Sequence, residues 1–116
     1  MKRWPVARGR AKHIPGQMNG TEQRYASELQ VRKNVGDIAE FWFEGVKLRL
    51  ASNTFYTPDF MVMLANGEIE LHETKGHWED DARVKIKVAA EQFPFRFVAA
   101  QPRPKKDGGG WKYEEF

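Results

Sequence analysis

The chain has 116 residues, enough for one domain with a single modest core. Its 41% hydrophobic and 30% charged residues are those of a globular protein. The absence of cysteine excludes disulfides and thiolate metal sites, and no apolar run approaches the roughly 20 residues of a membrane-spanning helix.

The net charge of +3 is unevenly placed. Residues 1–20 carry Lys2, Arg3, Arg8, Arg10 and Lys12 with no acid, so the remainder holds 14 bases against 16 acids. With Trp4, two prolines and several glycines, this segment reads as a basic arm (1–20) ahead of a folded domain (21–116). Such an arm neutralises phosphates and makes affinity steeply salt-dependent; the plainer reading is a solubilising terminus. The opening MKRWPVARGR is basic but is followed by no apolar region of the kind a secretory signal requires. A cytoplasmic location and no membrane partner are therefore expected.

Gly20-Thr21 offers a helix start with Thr21 as N-cap, and Tyr25, Ala26 and Leu29 recur at helical spacing to about Asn34. Glu22 lies at the edge of that apolar stripe, where a first-turn glutamate also complements the helix dipole. From Ile38 the pattern changes to strands. EFWFE is followed by VKLRL, with Val46, Leu48 and Leu50 on one face and Gly45 as a turn or bulge between the two. After Ser52-Asn53, TFYTPDF places Pro58 at a strand start. FMVML is a continuous apolar run, as in a strand covered on both faces, and Asn66-Gly67 turns it into GEIELHETK as a tight hairpin. DDARVKIKVAAEQF then reads as a helix, with Ala82, Ile86, Ala89, Ala90 and Phe93 as its buried stripe, stopped by Pro94. FRFVAA is a strand, QPRPKKDGGG a loop, and WKYEEF an added edge strand or a packed tail. A single crossover helix makes the strands on either side of it parallel neighbours. The expected fold class is α/β, one mixed sheet with flanking helices in the order helix, meander, helix, strand.

Within this frame HETKGH, residues 72–77, is the segment that bears on chemistry. A zinc-protease motif needs histidines at i and i+4 on a helix; here they are five apart, and on a strand an odd separation puts them on opposite faces. A peptidase is disfavoured. The alternation instead puts Glu73 and Lys75 on the face begun by Ile69 and Leu71, where buried charges are costly unless paired or metal-bound. His72 faces the other way and reads as structural.

Counting back from the hairpin turn places Asp59, at the start of FMVML, beside Glu73. Two adjacent carboxylates require a proton or a cation between them, and Mg²⁺ (or Mn²⁺) suits oxygen ligands. Lys75 adds a positive charge on the same face. That set fits phosphodiester hydrolysis, in which a metal polarises the phosphate while the lysine orients the nucleophile or compensates charge. The plainer reading is a surface Glu73–Lys75 ion pair with Asp59 as a turn residue. Lys85 and Lys87 are candidate phosphate contacts, although about 200° apart on their helix. Trp78 and His77 lie at the margin of the site.

The order of elements, with TEQRYASEL, YTPDF, HETKG and DDARVKIKVAAEQFP, resembles the PD-(D/E)xK nuclease superfamily from about Thr21 to Ala100. The likeness is greatest to small phage-encoded nucleases related to Holliday-junction resolvases. This resemblance implies a restriction-endonuclease-like core, with Asp59, Glu73 and the Thr74 carbonyl as metal ligands and Lys75 as the catalytic lysine. Glu22 would be the accessory acid, with Glu44 as its lower-ranked rival. It also implies DNA, branched DNA among the candidates, as substrate, the host cytoplasm as location, and a homodimer if two symmetric cuts are made. The competing class is a DNA-binding module that keeps the fold without turnover.

Overall fold

The computed structural model describes residues 16–76 and 80–116. The arm residues Lys2, Arg3, Arg8, Arg10 and Lys12 fall outside them, as do His77 and Trp78.

The first helix, α1 (Gly20–Asn34), starts two residues earlier than a Thr21 cap implies. Its N-cap is Asn19 and not Thr21. Asn19 Oδ1 accepts from the Glu22 backbone N–H, and Glu22 Oε1 accepts from Asn19 N–H, each at 2.8 Å. This reciprocal capping box satisfies two of the helix's orphan donors, which a Thr21 cap could not do with Glu22 in the same place. Tyr25 and Leu29 are buried from α1, and Gly36 leaves the helix at φ +82°.

Five strands form a mixed sheet in the order β1 (Ile38–Phe43), β4 (Phe60–Leu64), β5 (Ile69–Thr74), β6 (Arg96–Pro102), β7 (Trp111–Glu115). All neighbours are antiparallel except β5 and β6, which run parallel because α2 (Asp80–Gln92) carries the chain across between them. The carboxy-terminal segment thus becomes an edge strand.

The expected meander departs from one continuous sheet at β2 (Leu48–Ala51) and β3 (Thr54–Tyr56), which pair only with each other. The reason is occupancy: β4 has two edges, and β1 and β5 take both. Contact between Glu44 N–H and the Asp59 carbonyl, 2.7 Å, extends the β1–β4 ladder to its end. The chain then turns at Gly45, where an added Cβ would lie 2.9 Å from Trp42 Cβ and 3.3 Å from Met61 Cβ, so only glycine lets the backbone pass this close.

The sheet is covered on both faces. On one, α1 packs Tyr25 and Leu29 with Ile38, Phe60, Val62 and Ala100. On the other, α2 and the β2–β3 hairpin enclose Leu71 and Phe97 with Leu48, Leu50, Tyr56, Ile86 and Ala89. The apolar stripe expected on α2 is the one buried: Ile86 and Ala89 fully, Ala90 and Phe93 in part. No helix among the described residues is long and apolar enough to cross a membrane.

Candidate functional site

Register decides which side chains meet. Phe60 pairs with His72 and Met61 with Leu71, so the same ladder carried back one residue sets Asp59 opposite Glu73. Because side chains alternate along β5, Leu71 and Glu73 share the α2 face while Glu70 and His72 turn towards α1, and Asp59, one residue before β4, reaches the end of β5 at Thr74.

Asp59 is clamped by the end of β5. Its Oδ2 accepts from the Thr74 backbone N–H at 2.8 Å and from Thr74 Oγ1 at 2.9 Å. Burial nevertheless pushes its pKa up to about 6, since desolvation outweighs the Thr74 hydrogen bonds, and the charge of Glu22 adds to the rise. Glu73 is 6% exposed, and its Oε2 is buried without a hydrogen-bond partner. Burial first and the Asp59 charge second raise its pKa well above the usual carboxylate range; Lys75 and a hydrogen bond from the Tyr56 hydroxyl pull it back. An acceptor stranded this way costs stability unless something else binds it.

The carboxylates open onto two clefts. One, about 670 Å³, is lined by Asn19, Glu22, Glu44, Lys47, Asp59 and Lys75. The other, about 360 Å³, is lined by Tyr56, Glu73, Lys75, Asp81 and Lys85. Lys75 borders both, and its ammonium makes no ion pair with an acid among the described residues. The plainer reading of a surface Glu73–Lys75 ion pair is not met among the described residues, and Lys75 acts on both carboxylates through space.

Glu22 is 5% exposed and reaches the cleft from α1 while one of its oxygens holds the capping box. Its charge raises both Asp59 and Glu73. Glu44 lines the same cleft from a left-handed turn, φ 51°, with Oε2 accepting from Gly16 N–H at 3.1 Å. Lys85 borders the smaller cleft; Lys87 is exposed and lines neither.

Two contributors escape the sequence. Tyr56 ends a three-residue strand too short for a periodic signal, and its buried hydroxyl, itself held protonated by burial and by the Glu73 and Asp59 charges, supports Glu73. Lys47 reaches the larger cleft only because the β2–β3 hairpin folds away from the sheet, and its ammonium lies 4.5 Å from the centre of the Phe55 ring.

Among the described residues no group of three or more His, Cys, Asp or Glu side chains is arranged to hold a metal ion. A cation here would rest on the Asp59–Glu73 pair, with backbone, water and phosphate oxygens completing its shell, which is how Mg²⁺ is commonly bound. The donor set fits: a buried and a half-buried carboxylate, one with an oxygen that has no partner, both with raised proton affinity and beside a lysine.

No protein family matches the chain, and neither a curated protein nor a solved structure is significantly similar to it.

Proposed function

We propose that the protein is a divalent-metal-dependent deoxyribonuclease that hydrolyses DNA phosphodiester bonds at the Asp59–Glu73–Lys75 site. The observation that carries this reading is the stranded Glu73 Oε2 opposite Asp59. A buried Glu73 carboxylate beside the half-buried Asp59 destabilises the fold by itself, and a cation relieves both the desolvation and the mutual repulsion.

A bound Mg²⁺ or Mn²⁺ would polarise the phosphate and lower the pKa of a coordinated water. Asp59, held in one orientation by the two Thr74 donors, and Glu73 would be its side-chain ligands, with the Thr74 carbonyl as a further one. Lys75, which has no ion pair among the described residues and borders both clefts, would set its ammonium against the negative charge that develops on the phosphate or orient the attacking water. Glu22 sits where it can accept a proton or a hydrogen bond from a water in the larger cleft. Resemblance to the PD-(D/E)xK superfamily supports the same assignment of roles, and branched DNA and a homodimer follow from it by analogy alone.

The test is a gel assay on junction, nicked and linear DNA with Mg²⁺, Mn²⁺ or EDTA. Cleavage with either metal and none in EDTA is expected, with Lys75→Ala inactive. Binding without cleavage under every metal condition favours the DNA-binding module instead.

A further inference from the structure

A third cleft, about 680 Å³, adjoins the site and is lined by Gly76, Gln101, Arg103, Asp107 and Lys112. It meets the other two at consecutive residues, since Lys75 borders them and Gly76 borders this one. The exits of β5 and β6 are laced together there. Lys75 N–H donates to the Ala100 carbonyl at 3.0 Å, and Gln101 Nε2 donates to the Gly76 carbonyl at 3.3 Å.

From that seam the β6–β7 connection projects as an ordered turn. Asp107 and Gly109 N–H both donate to the Pro104 carbonyl, Gly108 N–H to the Lys105 carbonyl, and Arg103 N–H to the Gly110 carbonyl, all at 2.9–3.1 Å. The Arg103 guanidinium donates to the Asp107 carbonyl. Gly108, Gly109 and Gly110 have φ of 98°, 67° and 74°, a left-handed run that only glycine accepts at low cost. The turn presents Arg103, Lys105, Lys106 and Lys112 against the single acid Asp107. Lys105, Lys106 and Lys112 are exposed and form no ion pair among the described residues, whereas Arg32, Lys33, Arg83 and Arg96 are each paired with a carboxylate.

The larger cleft sets Glu22, Glu44 and Asp59 against Lys47 and Lys75, and the smaller sets Glu73 and Asp81 against Lys75 and Lys85, so neither supplies the net positive charge that would hold a DNA strand on the protein. We propose that the β6–β7 turn, through Lys105, Lys106 and Lys112, is the surface that grips the DNA backbone next to the cut. The hydrogen-bonded turn fixes the backbone that carries Lys105 and Lys106, with Lys112 following in β7, and exposed ammonium groups of this kind suit phosphates and are indifferent to base sequence. This assignment rests on the nuclease reading for its choice of DNA.

The full chain is titrated against a fluorescein-labelled DNA duplex in EDTA at several salt concentrations, and anisotropy is read. K105Q/K106Q is compared with R24Q/K33Q, which removes the same charge from α1. K105Q/K106Q is expected to bind several-fold more weakly, with its log–log salt slope shallower by about 2 at ~0.9 per phosphate contact. R24Q/K33Q is expected to keep both within error. Equal behaviour of the two variants, or no DNA binding by the unmodified chain, overturns the proposal, whether or not Mg²⁺ supports cleavage. Cleavage is scored separately: a turn-dependent affinity without cleavage leaves the grip in place and removes the nuclease reading.

Discussion

Thr74 holds Asp59 twice, through its backbone N–H at 2.8 Å and its hydroxyl at 2.9 Å, both to the same carboxylate oxygen. The strand carrying Glu73 therefore also orients the acid opposite it. Thr74→Val keeps the shape and the backbone bond but removes the hydroxyl. We expect it to cost about 0.5–1.5 kcal/mol in urea unfolding and to weaken Mn²⁺ binding. Unchanged stability and unchanged metal affinity would show that the hydroxyl does not position Asp59.

Raised carboxylate pKa values have a definite consequence for stability. A buried acid that titrates at about 6 in the folded chain and near 3.8 when unfolded favours folding most at low pH, and its contribution falls as pH rises from about 4 through 6. Glu73 acts in the same direction. Asp59→Asn and Glu73→Gln remove the charge, so each variant should gain Tm over the unmodified chain as pH rises through 6, by several degrees at pH 7.5 in EDTA. Melting curves at pH 4.5 and 7.5 check this. A difference that is flat with pH contradicts it.

Tyr56 is the least expected member of the site. Tyr56→Phe removes the hydroxyl that donates to Glu73, leaving that carboxylate with less support. The expected loss is about 1–3 kcal/mol, together with an upward displacement of the acidic limb of the pH–cleavage profile. A stable, active variant with an unmoved profile would assign Tyr56 to packing alone.

Much of this site is legible in the sequence because one short turn controls it. Asn66-Gly67 fixes the β4–β5 register, the register sets Asp59 against Glu73, and Gly76 with α2 makes β5 and β6 parallel. What escapes is contributed by elements without a pattern of their own. Tyr56 and Lys47 reach the site only because β1 and β5 fill both edges of β4 and exclude the β2–β3 hairpin from the sheet. Thr21 looks like a helix cap until Asn19 and Glu22 are considered together as a reciprocal pair. Glu70 reads as the polar side of an alternating strand, yet it is 7% exposed.

That buried Glu70 belongs to a network on the α1 face. His72 Nε2 donates to Glu70 Oε1 at 2.9 Å, His72 Nδ1 is joined to the Tyr25 hydroxyl at 2.6 Å, and Arg96 reaches Glu70 Oε2 at 2.9 Å. The His72 hydrogen bond is the main influence lowering the Glu70 pKa. His72→Ala strands two buried polar groups and is expected to cost about 1–3 kcal/mol from that alone. Below its melting temperature it should still cut DNA at a comparable rate. Loss of cleavage in a folded variant would move His72 from the scaffold into the chemistry.

Lys75→Ala separates chemistry from stability. Its ammonium has no ion pair among the described residues but attracts both Asp59 and Glu73 through space, so the unfolding free energy should lose about 1 kcal/mol at pH 7.5 and less as the carboxylates are protonated at lower pH. Cleavage should fall roughly 10²–10³-fold, as when one donor to a transition-state charge is removed.

If Asp59 and Glu73 share one divalent cation, calorimetric titration with Mn²⁺ at pH 7.5 will show saturable binding to the unmodified chain and at least tenfold weaker binding to Asp59→Asn and to Glu73→Gln. Equal Mn²⁺ affinity in all three, or no binding to the unmodified chain with DNA absent or present, would contradict it.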